Sequence, residues 1–212
     1  MTRIKICGLT REEDIAAVNR CLPDYIGLVF AESRRRVTPE QARRLKAGLD
    51  DRIKAVGVFT NAPVPFIVDL CEQKIIDVVQ LHGDENEAFI QSLKQEIACP
   101  VIKAVRVQNR EQILQAQEMP CDLLLLDTYQ EGQYGGSGRT FDRKLIPALD
   151  KRFFLAGGLE AGNIEQVVRE CHPFGVDISS GVETDGVKDE AKIRQIIAII
   201  RSFDMKEGNK KL

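Results

Sequence analysis

Short apolar runs rich in β-branched residues recur along the chain, and each is followed by a stretch with helical signals. The runs are RIKIC (3–7), YIGLVF (25–30), KAVGVF (54–59), DVVQL (77–81), PVIKAV (100–105), DLLLLD (122–127), RFFLA (152–156) and GVDIS (175–179). Apolar residues mostly fill consecutive positions in them rather than alternate ones. That pattern predicts strands covered on both faces, as in a parallel sheet flanked by helices.

The intervening segments carry helix starts. Thr10 and Glu13 have the spacing of a capping box ahead of DIAAVNR. Thr38-Pro39 supply an N-cap and a proline at the first helical position before EQARRLKAGL. Ala62-Pro63 opens VPFIVDLCEQK, with Pro65 making an irregular first turn, and NEAFIQSLKQ, NREQILQAQ, FDRKLIPALD and NIEQVVREC occupy the next four gaps. KDEAKIRQIIAIIRSF closes the set with Ile193, Ile196, Ile197 and Ile200 on one face. The polar end MKEGNKKL is expected to fray.

Strand and helix alternate without a composition shift or a long linker, which predicts a single α/β domain, a closed (β/α)₈ TIM barrel over residues 1–203 with a polar tail over 204–212. At 212 residues the barrel is compact, near the lower end of roughly 200 for such folds. A doubly wound open sheet is the competing architecture. It normally shows GxGxxG after its first strand, and CGLT stands there instead.

Composition narrows the function classes. A formal net charge of -2 creates no field that would gather nucleic acid or an anionic membrane, so any anion site is local. The N-terminus lacks the apolar region of a signal peptide, and no apolar run has the length of a membrane span, so a cytoplasmic protein is expected. Six cysteines are scattered at 7, 21, 71, 99, 121 and 171, with no CxxC pair and two histidines in the chain. This suggests neither a disulfide framework nor a zinc site, but reduced thiols that act mostly as small buried hydrophobes.

In a barrel, chemistry sits at the C-terminal ends of the strands. Cys7 ends the first run and Ser33-Arg34-Arg35-Arg36 follow the second. Gln80, His82 and Asp84 surround the end of the fourth, Lys103 and Arg106 that of the fifth. Asp127 follows four leucines, a costly place for a carboxylate without a partner or a task. Such an aspartate more often caps a loop. Facing Cys7 across a barrel mouth, it becomes half of an acid–base pair. YGGSGRTFD (134–142), AGGLEAGN (156–163) and DISSGVE (177–183) place glycines in the last three strand-to-helix connections. Barrels often hold a phosphate after strands seven and eight, where glycines let backbone N–H groups approach the anion. Ordinary turns are the other reading of any one glycine pair. One arginine of SRRR could clamp a carboxylate, with the others solvated. His82 has no second histidine or acidic cluster beside it and reads as a positioning group rather than a metal ligand.

KICGLT, GLVFAESRRRVTPEQARRL, VGVF, DVVQLHGDE, VIKAV, LLLDT, YGGSGRTFD, LAGGL and VDISSGVE, in this order, resemble the phosphoribosylanthranilate isomerases of tryptophan biosynthesis over nearly the whole chain. The resemblance implies a (β/α)₈ barrel without metal or organic cofactor that performs an Amadori rearrangement of N-(5-phosphoribosyl)anthranilate. It puts the catalytic base on Cys7 and the catalytic acid on Asp127. It assigns the substrate carboxylate to Arg35, with Arg36 as a second candidate beside it. The phosphate falls to Gly157, Gly158, Ser180 and Gly181, and Gly136, Ser137 and Gly138 form a lid. Gln80, His82 and Asp177 position the substrate. Arg143 stands where family members commonly have tryptophan, and this chain has none. Another phosphosugar isomerase barrel, or a barrel that binds a sugar phosphate without turnover, are the alternatives. Cys7 with Lys103 suits the first poorly, and a pure binder needs neither an acid nor a base. Monomer and homodimer are both compatible with the sequence.

Overall fold

The computed structural model describes residues 1–128 and 142–209. Eight parallel strands close into a barrel in sequence order: β1 (Arg3–Cys7), β2 (Tyr25–Val29), β3 (Lys54–Phe59), β4 (Val78–Leu81), β5 (Val101–Val107), β6 (Leu123–Thr128), β7 (Phe153–Leu155) and β8 (Gly175–Ile178). Each lies on one of the eight apolar runs. The β1–β8 pairing that closes the barrel sets Lys5 beside Asp177 and Ile6 beside Ile178. A two-stranded hairpin, β9 (Glu183–Thr184) and β10 (Val187–Lys188), follows β8.

Among the described residues seven α-helices surround the barrel: α1 (Glu12–Cys21), α2 (Pro39–Ala47), α3 (Val64–Glu72), α4 (Glu87–Glu96), α5 (Arg110–Glu118), α6 (Ile164–Cys171) and α7 (Glu190–Asn209). Thr38 caps α2 through its hydroxyl, which accepts from Gln41 N at 3.2 Å, with Pro39 at the first position. The start of α1 differs from expectation. Arg11 is its N-cap, and Asp14, not Glu13, reaches back to accept from the N–H groups of Thr10 and Arg11 at 3.0 and 3.1 Å. Over residues 142–150, the described part of FDRKLIPALD, there is no α-helix. Only a 3-10 turn, Arg143–Leu145, forms there, because Pro147 lacks an N–H and disfavours helical geometry in Ile146.

The last helix continues into the expected tail, as far as Asn209. Ile193, Ile196 and Ile200 are fully buried and Phe203 nearly so, each worth about 1.5–3 kcal/mol of burial. Beyond them Asp204 accepts from Thr2 N at 2.7 Å and from Thr2 Oγ1 at 2.9 Å, tying the helix to the first strand.

At the N-terminal face, the aspartates preceding β2, β4 and β6 each accept a backbone N–H near the start of a neighbouring strand. Asp24 takes Ile4 N at 2.9 Å, Asp77 takes Ala55 N at 2.7 Å and Asp122 takes Val101 N at 2.7 Å. These groups would otherwise lack a partner at the barrel rim. Inside the barrel Val56, Val78, Ile102, Ala104, Leu125, Phe154 and Ala156 pack as one cluster that plugs the lower half. The upper half is left to polar side chains.

Candidate active site

Strand residues two apart face the same side. Ile4 and Ile6 point out to the helices and are fully buried there. Lys5 and Cys7 therefore point inward. The same alternation turns Asp127, Asp177 and Gln80 into the barrel. Their ends surround a cavity of about 340 Å³ at the C-terminal face, lined by Cys7, Arg35, Gln80, His82, Asp127 and Asp177, among others. Gly157, Gly158, Leu159, Ser179 and Ser180 close another side of the same cavity.

Cys7 has room because of two glycines. A Cβ on Gly27 would stand 2.5 Å from the Cys7 sulfur, so β2 yields space for the thiol. Gly8 has φ +84 and its open face receives the Arg35 side chain, where a Cβ would lie 2.3 Å from Cδ. Burial pushes the Cys7 thiol above its ordinary value; the cations of Lys5 and Lys188 pull it down, and the Asp177 charge adds to the rise.

Asp127 is 6% exposed, and its Oδ1 accepts from Thr128 N at 2.7 Å. Its Oδ2 lies 3.3 Å from His82 Nε2, off the line of a hydrogen bond. The far ring nitrogen, Nδ1, is 2.9 Å from the Gln80 amide nitrogen. An amide donor there makes Nδ1 the acceptor and places the ring proton on Nε2, toward Asp127. Among the described residues, three buried side-chain atoms have no hydrogen-bond partner: Gln80 Oε1, His82 Nε2 and Asp177 Oδ1. All three belong to residues lining this cavity. An unmade buried hydrogen bond costs about 1–3 kcal/mol, so three at one cavity mark a place where a polar ligand completes the bonding.

Arg35 lines the cavity and Arg36 does not. Glu183 holds Arg35 with Oε1 2.7 Å from Nε and Oε2 2.9 Å from Nη2. The same carboxylate takes Arg34 Nη2 at 2.7 Å and Lys188 Nζ at 2.7 Å. Burial pushes the Glu183 carboxyl up, but the bonds and charges of Arg35 and Lys188 outweigh it and hold the group down at about 2. Lys188 is itself buried, and burial lowers its ammonium against the support of Glu183.

Gly157 and Gly158 have φ +87 and +60, the left-handed region that favours glycine. Gly181 lies behind the lining rather than on it, where a Cβ would meet Leu159 O at 1.9 Å. It lets the two glycine loops touch. Gly136, Ser137 and Gly138 lie outside the described residues. Lys103 and Arg106 turn away from the cavity. Lys103 pairs with Glu85 at 2.8 Å and Arg106 with Asp84 at 3.0 Å, which ties the loop after β4 to β5. Among the other cysteines Cys121 alone is buried, while Cys21, Cys71, Cys99 and Cys171 are half-buried against the core, so fewer are core residues than expected. Among the described residues no group of three His, Cys, Asp or Glu is placed to hold a metal ion. No helix among them is long and apolar enough to cross a membrane.

Three residues at the site were missed at the level of sequence: Lys5, Glu183 and Lys188. A charged residue in the middle of RIKIC was the available signal for Lys5. Glu183 and Lys188 sit in the polar stretch ETDGVKDE, which reads as a solvated loop.

Residues 4–198 match the family described as N-(5'phosphoribosyl)anthranilate (PRA) isomerase. The N-(5'-phosphoribosyl)anthranilate isomerase of Endomicrobium trichonymphae is 49% identical over 203 residues, covering 96% of this chain and all of that protein (100%). The crystal structure of phosphoribosyl anthranilate isomerase from Thermotoga maritima superposes with a TM-score of 0.83 at 34% identity, covering 95% of this chain and 100% of that one. Another isomerase, solved in complex with reduced 1-(o-carboxyphenylamino)-1-deoxyribulose 5-phosphate, gives a TM-score of 0.79 at 32% identity, with 95% and 100% covered. Barrel, cavity and relatives agree, and the chain belongs to the N-(5'-phosphoribosyl)anthranilate isomerase family.

Proposed function

We propose that the chain catalyses the Amadori rearrangement of N-(5'-phosphoribosyl)anthranilate to 1-(2-carboxyphenylamino)-1-deoxyribulose 5-phosphate, a step of tryptophan biosynthesis. The observation that carries this reading is the meeting of a thiol from β1 and a carboxyl from β6, Cys7 and Asp127, at one cavity.

The chemistry requires such a pair. Asp127 gives a proton to the ribose ring oxygen as the C1–O bond breaks, and the anilino nitrogen lone pair forms the C=N bond. Cys7 as thiolate then removes the proton from C2. That electron pair becomes the C1=C2 bond, and the C=N π pair returns to nitrogen. The enolamine tautomerises, losing the hydroxyl proton at C2 and gaining one at C1, to give the ketone. Proton transfers by positioned groups carry every step, and each such group typically contributes about 10²–10⁴ in rate.

Binding follows the polar inventory. Glu183 occupies Nε and Nη2 of Arg35, and Nη1 is bonded to no described residue, leaving it for the anthranilate carboxylate. Backbone N–H groups around Gly157, Gly158 and Ser180 receive the phosphate, with Gly181 setting the loop that carries Ser180. Asp177 Oδ1 and Gln80 Oε1 accept substrate hydroxyls, and His82 donates from Nε2. The relative's ligand, with its carboxylate, hydroxyl chain and phosphate, has these three kinds of group.

Loss of anthranilate-type fluorescence on adding the protein to substrate generated in situ tests the reading. Growth of a tryptophan auxotroph lacking this step is the second measure. Rescue by the wild-type chain, abolished in Cys7→Ala and Asp127→Asn, is expected. A folded wild-type protein with neither turnover nor rescue would overturn it.

A further inference from the structure

An ammonium group in the middle of a barrel strand calls for an explanation. Barrel interiors are filled by bulky branched residues such as Val, Ile and Leu, and Lys5 is 0% exposed at such a position. Its Nζ stands 2.8 Å from Asp177 Oδ2, its register neighbour on β8. Cys7 is the next inward-facing residue on the same strand, so the ammonium and the thiol share one face of β1, and the Lys5 charge favours ionised sulfur. An ammonium has three N–H donors and no acceptor. One of them is spent on the Asp177 carboxylate.

We propose that Lys5 is a positioning residue for Cys7, whose buried charge, fixed by Asp177 on the same inner face of the barrel, favours the thiolate form of the sulfur at the cavity. The proposal rests on Cys7 acting as the base, and it adds a group that offsets part of the cost of ionising that base. Burial opposes charge on both partners. The Lys5 ammonium nevertheless lies above its ordinary value because Asp177 and Cys7 outweigh the cost of desolvation. Other charged groups face the sulfur from neighbouring elements. Asp177 on β8 disfavours the thiolate, and Lys188 on β10 favours it; like Lys5 it is paired with a carboxylate, Glu183 at 2.7 Å, and it is also repelled by the nearby Arg35. Lys5 combines full burial, an ion pair that fixes its ammonium and attachment two residues away on the same face of the strand.

The experiment follows Cys7 itself, without substrate. Full-length wild type, Lys5→Met and Lys5→Gln are treated with iodoacetamide from pH 5 to 10, and alkylation of the Cys7 peptide is quantified by mass spectrometry. The glutamine keeps a donor toward Asp177 but no charge, and serves if the methionine variant does not fold. Loss of the charge is expected to move the alkylation inflection up by about one pH unit, leaving about tenfold less thiolate at neutral pH. The rising limb of kcat should move by the same amount, with KM little changed and activity regained at high pH. Lys5→Arg should keep the inflection near wild type. An unmoved inflection in a folded, uncharged variant would overturn the proposal, even if its melting temperature fell, since that is the outcome of a purely structural ion pair. Absence of turnover by the wild type would instead count against the isomerase reading, because alkylation is measured independently of it.

Discussion

Arg35 enters the cavity with its guanidinium already gripped by Glu183, 2.7 Å from Nε and 2.9 Å from Nη2. Two parallel bonds fix the plane of the group as well as its place. Glu183 in turn comes from the hairpin after β8, and Gly8 leaves the space over which the Arg35 stem lies. The residue directly after Cys7 thus makes room for the proposed carboxylate clamp.

Glu183→Gln removes the charge that orients Arg35. The KM for substrate should rise about tenfold, with a smaller change in kcat, because a charge-assisted bond is lost. Steady-state kinetics separate the two parameters. An unchanged KM would mean that Arg35 is oriented without Glu183.

The same residue predicts a stability window. In the folded protein its carboxyl sits at about 2 against an ordinary 4.5. A depressed carboxyl contributes stability that is fully present above about 4.5 and is lost as the pH falls toward 2. Thermal melts over pH 5 to 2 should show Glu183→Gln less pH-sensitive than wild type in that interval. Parallel melting curves would contradict the assignment.

Gly157→Ala should impair both stability and turnover. The glycine has φ +87, and a Cβ there would lie 2.2 Å from Thr128 Oγ1 and 3.1 Å from Asp127 Oδ1. Left-handed strain and crowding together are expected to cost about 2–4 kcal/mol, and displacement of Asp127 should lower kcat about tenfold. Gly208→Ala is the control. Nothing lies within 4 Å of its added methyl, and a helical alanine should leave stability equal or higher by up to about 1 kcal/mol. Chemical denaturation and initial rates on both variants decide.

His82 should carry its proton on Nε2 in the resting protein. The chain has two histidines, so long-range ¹H–¹⁵N NMR can assign both rings once a His172→Gln variant removes one set of signals. Gln80→Leu, which takes away the amide facing Nδ1 at 2.9 Å, should mix the tautomers and lower kcat several-fold. A wild-type ring protonated on Nδ1 would show that Gln80 presents its oxygen there instead.

Much of this architecture is written locally. The eight strand runs are legible because burial on both faces demands continuous apolar sequence, and Thr38-Pro39 reads as a helix start because its hydroxyl and its missing N–H act within one turn. The same local logic explains a misreading. Pro147 sits inside FDRKLIPALD, and its effect on the preceding residue stops the helix that the apolar spacing suggests. At the C-terminus Asp204, just before the polar MKEGNKKL, is an anchor that no local pattern shows, because the bonds from Thr2 to Asp204 join residues 202 positions apart.

The sequence by itself determined the alternation of strands and helices, the end of β1 as a place for Cys7, and the oddity of Asp127 after four leucines. Each depends on residues close together in the chain. Only the closed barrel decided the rest. It set Arg35 rather than Arg36 at the cavity, gathered Gln80 Oε1, His82 Nε2 and Asp177 Oδ1 unpaired around it, and brought Lys5 to Asp177 across 172 positions of sequence. Charge and hydrogen bonding act over a few ångströms of space, whatever the separation along the chain, so no local pattern in RIKIC or ETDGVKDE could reveal which carboxylate or thiol its lysine would meet.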